Sequence, residues 1–275
     1  MTYSTVMVHL DLYQSNDARL RIAGEFAEQF NAKLIGIAGC QPQPVVYADW
    51  SFAHDLVEKL RADAQEKLNA LQQQFKSACQ SRIKDVEWRA AFASPVDFVA
   101  REARSADLVI TGTDAGGALA DPMWRLDASE LVMLLGRPML VVPPQVDHLK
   151  ITSVLVGWKD TRESRRAIVD ALPLLSKAKE VHVLEVIEDD DDRAAASHRV
   201  ADVSAWLARH GIASGHRVPK LRGNASEQLA SQASEVGAGL IVAGAYGHTR
   251  LRQWVFGGVT NDLIRQPKQC AFLSH

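Results

Sequence analysis

The feature that most constrains this chain is a repeat of its own sequence. ADLVITG at residues 106–112 lies over AGLIVAG at residues 238–244, an offset of 238 − 106 = 132. Without a gap, the same offset carries Leu119 onto Leu251, Leu131 onto Leu263 and Met139–Leu140 onto Ala271–Phe272. Repetition at a period above one hundred residues means two copies of a whole domain, and 275 residues hold two domains of ordinary size.

Within each copy, short apolar runs alternate with longer stretches of helical spacing. That alternation is the signature of βαβ units on a parallel sheet. In the first copy, strands are predicted at Val6–Leu10, Lys33–Ala38, Val86–Phe92, Leu108–Thr111 and Met139–Val142. Helices are predicted at Asp17–Asn31, Ala53–Ala78, Val96–Arg104 and Ala128–Leu135. The second copy predicts strands at Val154–Trp158, Val181–Ile187, His216–Lys220, Leu240–Ala243 and Ala271–Leu273. Its helices are predicted at Glu163–Ser176, Ala194–His210, Ser226–Val236 and Thr260–Arg265. Pro143–Pro144 cannot continue a ladder, and the polar run Gln145–Lys150 after it reads as the linker. The expected domains are 1–146 and 147–275, two sheets packed across a pseudo-two-fold as in a fused homodimer.

The second copy carries a glycine pattern with chemical meaning. Leu240–Ala243 is followed by Gly244-Ala245-Tyr246-Gly247, nine residues, and then Gly257-Gly258-Val259-Thr260. Glycines just past the C-terminal end of a parallel strand fall where open α/β sheets bind ligands. Glycines there also serve simply to turn a chain. The second pair, however, opens a helix, where free N–H groups and the positive dipole end face an anion. Thr260 adds a hydroxyl, and His248 and Arg250 add donors on the intervening loop. No GK[ST] follows, so this is not a Walker A loop, and it is not GxGxxG.

This G-2x-G-9x-G pattern resembles that of the universal stress protein family, and the whole chain resembles its tandem members. The resemblance implies an α/β fold of two flavodoxin-like (Rossmann-like) domains. Each would be a five-stranded parallel sheet in the order 3-2-1-4-5, flanked by helices. It implies ATP binding, with Mg²⁺ arriving on the phosphates, and phosphate contacts from Gly244, Gly247, Gly257, Gly258 and Thr260. Val259 and Tyr246 belong to the same expected site, and adenine would lie near Val186 and the end of the first strand at Gly157 and Trp158. The sequence departs from the family pattern at Gly258, where Ser or Thr is usual, and at Lys159, where Asp is usual. Lys159 would suit a phosphate, or else Asp160 takes the ribose role; both readings stay open.

The offset places Gly112, Ala115, Arg125, Leu126 and Ala128 at the corresponding positions of the first copy, with Asp114 and Asp127 adding negative charge. Only the first glycine survives, although Asp11 keeps the acid of the first strand. The first half is therefore expected to be structural or partner-binding, with Arg125 as the residue that would hold some other anion.

The remaining candidates have plainer readings. Glu188–Asp192 is five acids in a row, expected as a solvated loop since it lacks the spacing and turn glycine of a calcium site. His9 reads as a satisfied strand histidine, and His248 and His275 are the histidines placed near the loop. Cys40, Cys79 and Cys270 are odd in number and form no CxxC pair, which points to a reducing compartment. Hydrophobic residues make up 47% and the net charge is −2, so no basic field recruits nucleic acid or membrane. The N-terminus has no signal-peptide core, and a cytoplasmic protein is expected. No nucleophile–base pair or GxSxG elbow is visible. The expected function is an adenine-nucleotide sensor or switch in a stress response, not an enzyme. It would work with unidentified protein partners, as a pseudo-dimer within the chain that can also form a homodimer. The alternative is a non-nucleotide-binding interaction protein acting through its dimer surface. A third reading, an α-hydrolase of adenine nucleotides, should show a stronger catalytic constellation.

Overall fold

A computed structural model describes residues 2–41, 50–79, 81–113, 125–247 and 258–275; for residues 50–56 it describes the backbone alone. Strands β1 (Thr5–His9), β2 (Lys33–Cys40), β3 (Val86–Phe92), β4 (Leu108–Gly112) and β5 (Met139–Val142) alternate with helices α1 (Asp17–Phe30), α2 (Trp50–Cys79), α3 (Pro95–Glu102) and α4 (Ala128–Leu134). The second half repeats the series with β6 (Ser153–Gly157), α5 (Arg162–Leu175), β7 (Glu180–Leu184), α6 (Arg193–Arg209), β8 (Ser214–Arg217), α7 (Ala225–Glu235), β9 (Leu240–Gly244), α8 (Gly258–Arg265) and β10 (Cys270–Ser274).

The two predicted sheets are one. Ten strands run in the order β3-β2-β1-β4-β5-β10-β9-β6-β7-β8, so each half keeps the order 3-2-1-4-5. Every strand pairing is parallel except the seam, where Ala271, Phe272 and Leu273 of β10 run antiparallel to Val141, Leu140 and Met139 of β5. The halves therefore join edge to edge, not by packing two finished sheets together. Most strand termini differ from the sequence reading by a residue or two, the usual fraying of element ends, but β7 and β8 each end three residues early, with Ile187 and Lys220 left as an isolated parallel bridge.

Central strands such as β1, β4 and β9 are buried along nearly their whole length, as expected where helices cover both faces. Alternate residues feed two core layers. Val154 and Val156 of β6 face the layer under α1, α2, α5 and α6, which includes Phe26, Phe75 and Ile168. Leu155 faces the opposite layer under α3, α4, α7 and α8, with Phe98, Leu131, Leu229 and Leu263.

Helix starts follow local capping chemistry. The Ser94 hydroxyl caps α3 by accepting from the Asp97 N–H, with Pro95 at its first position. Asp127 accepts from the N–H groups of Ser129 and Glu130 to open α4, and Asn224 accepts from Ser226 N–H to open α7. The segment between the halves is pinned: Gln145 donates to the Pro267 carbonyl at 3.1 Å, His148 meets Glu25 at 2.6 Å, and Arg21 pairs with Asp147. Across the halves, the buried Tyr3 hydroxyl donates to the Asp170 carbonyl at 2.6 Å. No helix among the described residues is long and apolar enough to cross a membrane.

Candidate functional site

In an order 3-2-1-4-5 sheet the chain leaves the first strand toward one side and the fourth toward the other, opening a crevice at their carboxyl ends. In the second half those strands are β6 and β9. Here lies a cavity of about 730 Å³, a size suited to a small-molecule ligand.

One wall is the turn after β6. The Trp158 N–H continues the ladder to the Leu184 carbonyl at 2.7 Å, and the chain then passes Lys159 and Asp160 to Thr161. Thr161 caps α5, its Oγ1 accepting from Ser164 N–H at 3.3 Å. The opposite wall is the turn after β9. The Ala245 N–H donates to the Ser274 carbonyl at 2.8 Å, and the His275 ring Nδ1 lies 3.0 Å from the Ala245 carbonyl. Tyr246 adopts a left-handed φ of 53°, uncommon outside glycine, and its N–H donates to Thr260 Oγ1 at 3.4 Å. The buried Thr260 hydroxyl thus ties this turn to the first turn of α8.

The glycines divide by role. A Cβ on Gly244 would stand 2.5 Å from the Ser164 nitrogen, so glycine is what lets the start of α5 press against the strand end. A Cβ on Gly247 would meet Thr161 Oγ1 at 2.9 Å and Glu163 Oε2 at 3.0 Å. Among the described residues, a Cβ on Gly258 would meet nothing within 4 Å. Packing therefore accounts for Gly244 and Gly247, whereas Gly258 leaves open space at a helix start.

Of the residues the sequence singled out, Gly157, Trp158, Lys159, Val186, Gly244, Tyr246, Gly247, Gly258, Val259 and Thr260 all line the cavity. Asp160 does not; its carboxylate is held by Arg165 at 2.5 Å on the exposed side of α5. His248, Arg250 and Gly257 lie outside the described residues. Sequence reasoning missed the far wall, formed by Leu221, Gly223, Asn224 and Ala225 with Leu229, and it missed Glu188, Thr161 and Ser164. The signal for that wall was present in the Asn-Ala-Ser-Glu start of α7, which follows Gly223 at a φ of 74°.

Lys159 and Glu188 are the charged side chains on the cavity walls. Beneath Gly247 sits Glu163, only 4% exposed. Burial pushes its carboxyl upward, but hydrogen bonds from Arg162 and from backbone outweigh that and hold it below the usual carboxylate range. The indole N–H of Trp158 is buried without a hydrogen-bond partner. Part of its ring packs into the core layer under α5 and α6.

The acidic run is exposed throughout, as the sequence reading expected, and it is tied down by ion pairs. Asp190–Asp192 form a 3-10 turn leading into α6. Asp190 pairs with Arg193 and Lys220, both at 2.7 Å, and Arg199 bridges Asp192 and the buried Glu185 at 2.7 and 2.6 Å. These hydrogen bonds hold the Asp190 and Asp192 carboxyls below their usual range.

The first half is built differently at the same place. Asp11 is buried, and its Oδ1 accepts from the N–H groups of Tyr13 at 2.8 Å and Gln14 at 3.0 Å, shaping its own loop. Leu126 and Ala128 are packed in the core. His9 is not a satisfied strand histidine: it is buried and its Nδ1 has no partner. The three cysteines are buried free thiols, and burial pushes them up to about 11 for Cys40 and Cys79 and about 12 for Cys270.

Comparison with known proteins agrees with this geometry. No curated protein matches the sequence. A universal stress protein from Archaeoglobus fulgidus has the same fold over 98% of this chain and 95% of its own, with a TM-score of 0.71 at 16% identity. A putative universal stress protein from Pseudomonas aeruginosa covers 99% of this chain and 93% of its own at a TM-score of 0.64 and 15% identity. A functionally unknown protein from the same species aligns over 99% of this chain and 92% of its own, with a TM-score of 0.63 at 15% identity. The family model described as "Universal stress protein family" matches residues 150–269, the half that holds the cavity. Residues 150–269 match the model of the universal stress protein family, and the chain as a whole shares its fold with a universal stress protein over 98% of its length.

Proposed function

We propose that the second half binds an adenine nucleotide, ATP in the first instance, in the cavity between β6, β7 and β9. The observation that carries this reading is the open space at Gly258, at the start of an eight-residue helix beside a buried hydroxyl. A phosphate there meets free N–H groups, the helix dipole and the glycine-bordered turn of Gly244–Gly247. Lys159 supplies positive charge at the rim, and Val186 and Leu229 give an apolar wall against which a base can lie. Mg²⁺ would enter with the phosphates, since no group of three or more His, Cys, Asp or Glu residues that could hold a metal occurs among the described residues.

On this reading the protein is a cytoplasmic sensor and not an enzyme. Nucleotide entering the cavity bridges the turn after β9 and the start of α8. That alters the surface these elements offer to protein partners or to a second copy. Titration calorimetry of MgATP into nucleotide-stripped protein tests it. Heat corresponding to about one site per chain supports the reading, whereas its absence at high protein concentration leaves an interaction protein working through its surface.

A further inference from the structure

The two halves differ at the crevice by more than their loops. Structural register equates the last residue of β1 with the last residue of β6: His9 pairs with Ile37 of β2 as Gly157 pairs with Leu184 of β7. Helix capping equates Arg19 with Ser164, each three residues past its N-cap, Asn16 and Thr161. Both second-half residues line the cavity. Both first-half residues are large and buried, His9 at 3% exposure and Arg19 at 4%.

The Arg19 guanidinium lies over Gly112, where a Cβ would stand 3.0 Å from its Cζ. It donates to the carbonyls of His9 at 3.2 Å and Ser15 at 3.0 Å. Gly112 is the positional equivalent of Gly244, which has the α5 backbone at Ser164 and Glu163 against it, with the Glu163 Cβ, and no guanidinium over it. An arginine buried this way, with the Asp11 carboxylate nearby and backbone carbonyls as acceptors, is a settled structural cation, since an unpaired buried charge would be too costly.

We propose that positions 9/157 and 19/164 decide which half holds a ligand: His9 and Arg19 fill the first crevice with the chain's own side chains, and Gly157 and Ser164 keep the second one open. This rests on the reading of the second cavity as the nucleotide site only for the identity of the ligand. The filling itself is a statement about volume and can be tested without one.

Arg19→Ala should leave a guanidinium-shaped void. Methylguanidinium at millimolar concentration should then raise the melting temperature of the variant by about 2–4 °C, with no rise for the wild type and none with methylammonium. A rise in both proteins alike, or in neither, overturns the proposal. The converse variant, Ser164→Arg, should place its guanidinium inside the second cavity in a crystal structure and weaken ATP binding by at least about 30-fold. An arginine that turns to solvent and leaves the cavity open overturns the proposal, and this structure decides alone should Arg19→Ala not fold. A wild type that binds no ATP sinks the nucleotide reading while leaving both ligand-free measurements standing.

Discussion

Gly258→Glu separates the site from the fold. At this position a Cβ meets nothing within 4 Å among the described residues, so the new side chain displaces none of them. Gly258 is the first residue of α8, where an acid interacts favourably with the helix dipole by about 0.3–1 kcal/mol and loss of glycine's unfolded-state freedom adds a similar amount. Stability should therefore hold or rise by about 1 kcal/mol. Binding should move the other way. A carboxylate roughly 5 Å from a bound phosphate, in an effective dielectric of about 40, costs about 1.7 kcal/mol per charge pair, or roughly 15-fold in affinity. The assay is calorimetric titration of MgATP beside thermal melts, with Gly258→Ala as the uncharged control and adenosine as the phosphate-free ligand. ATP should weaken roughly 15-fold against Gly258→Glu, while adenosine and the alanine variant change by less than about threefold. Undiminished ATP affinity in a stable Gly258→Glu protein would refute the placement of phosphates at this helix. Equal losses for ATP and adenosine would refute the electrostatic argument.

Two further outcomes follow from packing and burial. Gly244→Ala drives a Cβ to 2.5 Å from the Ser164 nitrogen and 2.7 Å from the Glu163 carbonyl carbon, so the α5 backbone must shift. Urea denaturation should show a loss of about 1–3 kcal/mol, and an unchanged midpoint would contradict the close approach. His9 is held down to about 3, by burial first and then by the neighbouring Arg19 charge. Because the folded value lies below the unfolded one, its contribution is fully present above about pH 6.5 and is lost as pH falls toward 3. Between those limits His9→Gln should remove a slope of up to about 1.4 kcal/mol per pH unit from the wild-type stability profile, and identical slopes for the two proteins would show that His9 does not titrate on unfolding.

The halves, their alternation of strands and helices and the glycine-bordered turn were legible because they rest on signals of short range, whereas the strand order came only with the family resemblance. ADLVITG over AGLIVAG places β4 and β9 in register with their neighbours, and strands buried on both faces read as unbroken apolar runs. What was not legible is how the halves join. Met139–Val142 and Cys270–Ser274 are apolar runs that would suit an inner edge or an outer one. Only the pairing of Phe272 with Leu140 shows that the two edges meet. The site was legible in its glycines but not in their reasons. Sequence cannot show that Gly244 touches the Ser164 backbone while Gly258 faces open space, because those contacts depend on where α5 lands. The pairings of Asp160 and of the exposed acids of 188–192 were out of reach for the same cause. Their partners, Arg165, Lys220 and Arg199, are supplied by helix phase and by a neighbouring strand.

The edge-to-edge seam also explains why a half with a filled crevice would be kept. Strand β10 is buried along its whole length and would, without β5, present an apolar edge with unpaired backbone groups, a template for unwanted pairing. Its last residue does more than close the sheet. The Ser274 carbonyl accepts the Ala245 N–H at the start of the turn that borders the cavity, and the Ser274 hydroxyl donates to the Asp170 carboxylate at 2.9 Å. Asp170 in turn offers its carbonyl to Tyr3 of the first half. Burial pushes the Asp170 carboxyl upward from its usual value, against the opposing pull of Ser274 and nearby arginines. A short path of hydrogen bonds therefore runs from the first half through the seam to the turn after β9. The first half, with Arg19 over its Gly112, supplies a paired edge and an anchor, and on the proposed reading the second half's cavity is left open for a nucleotide.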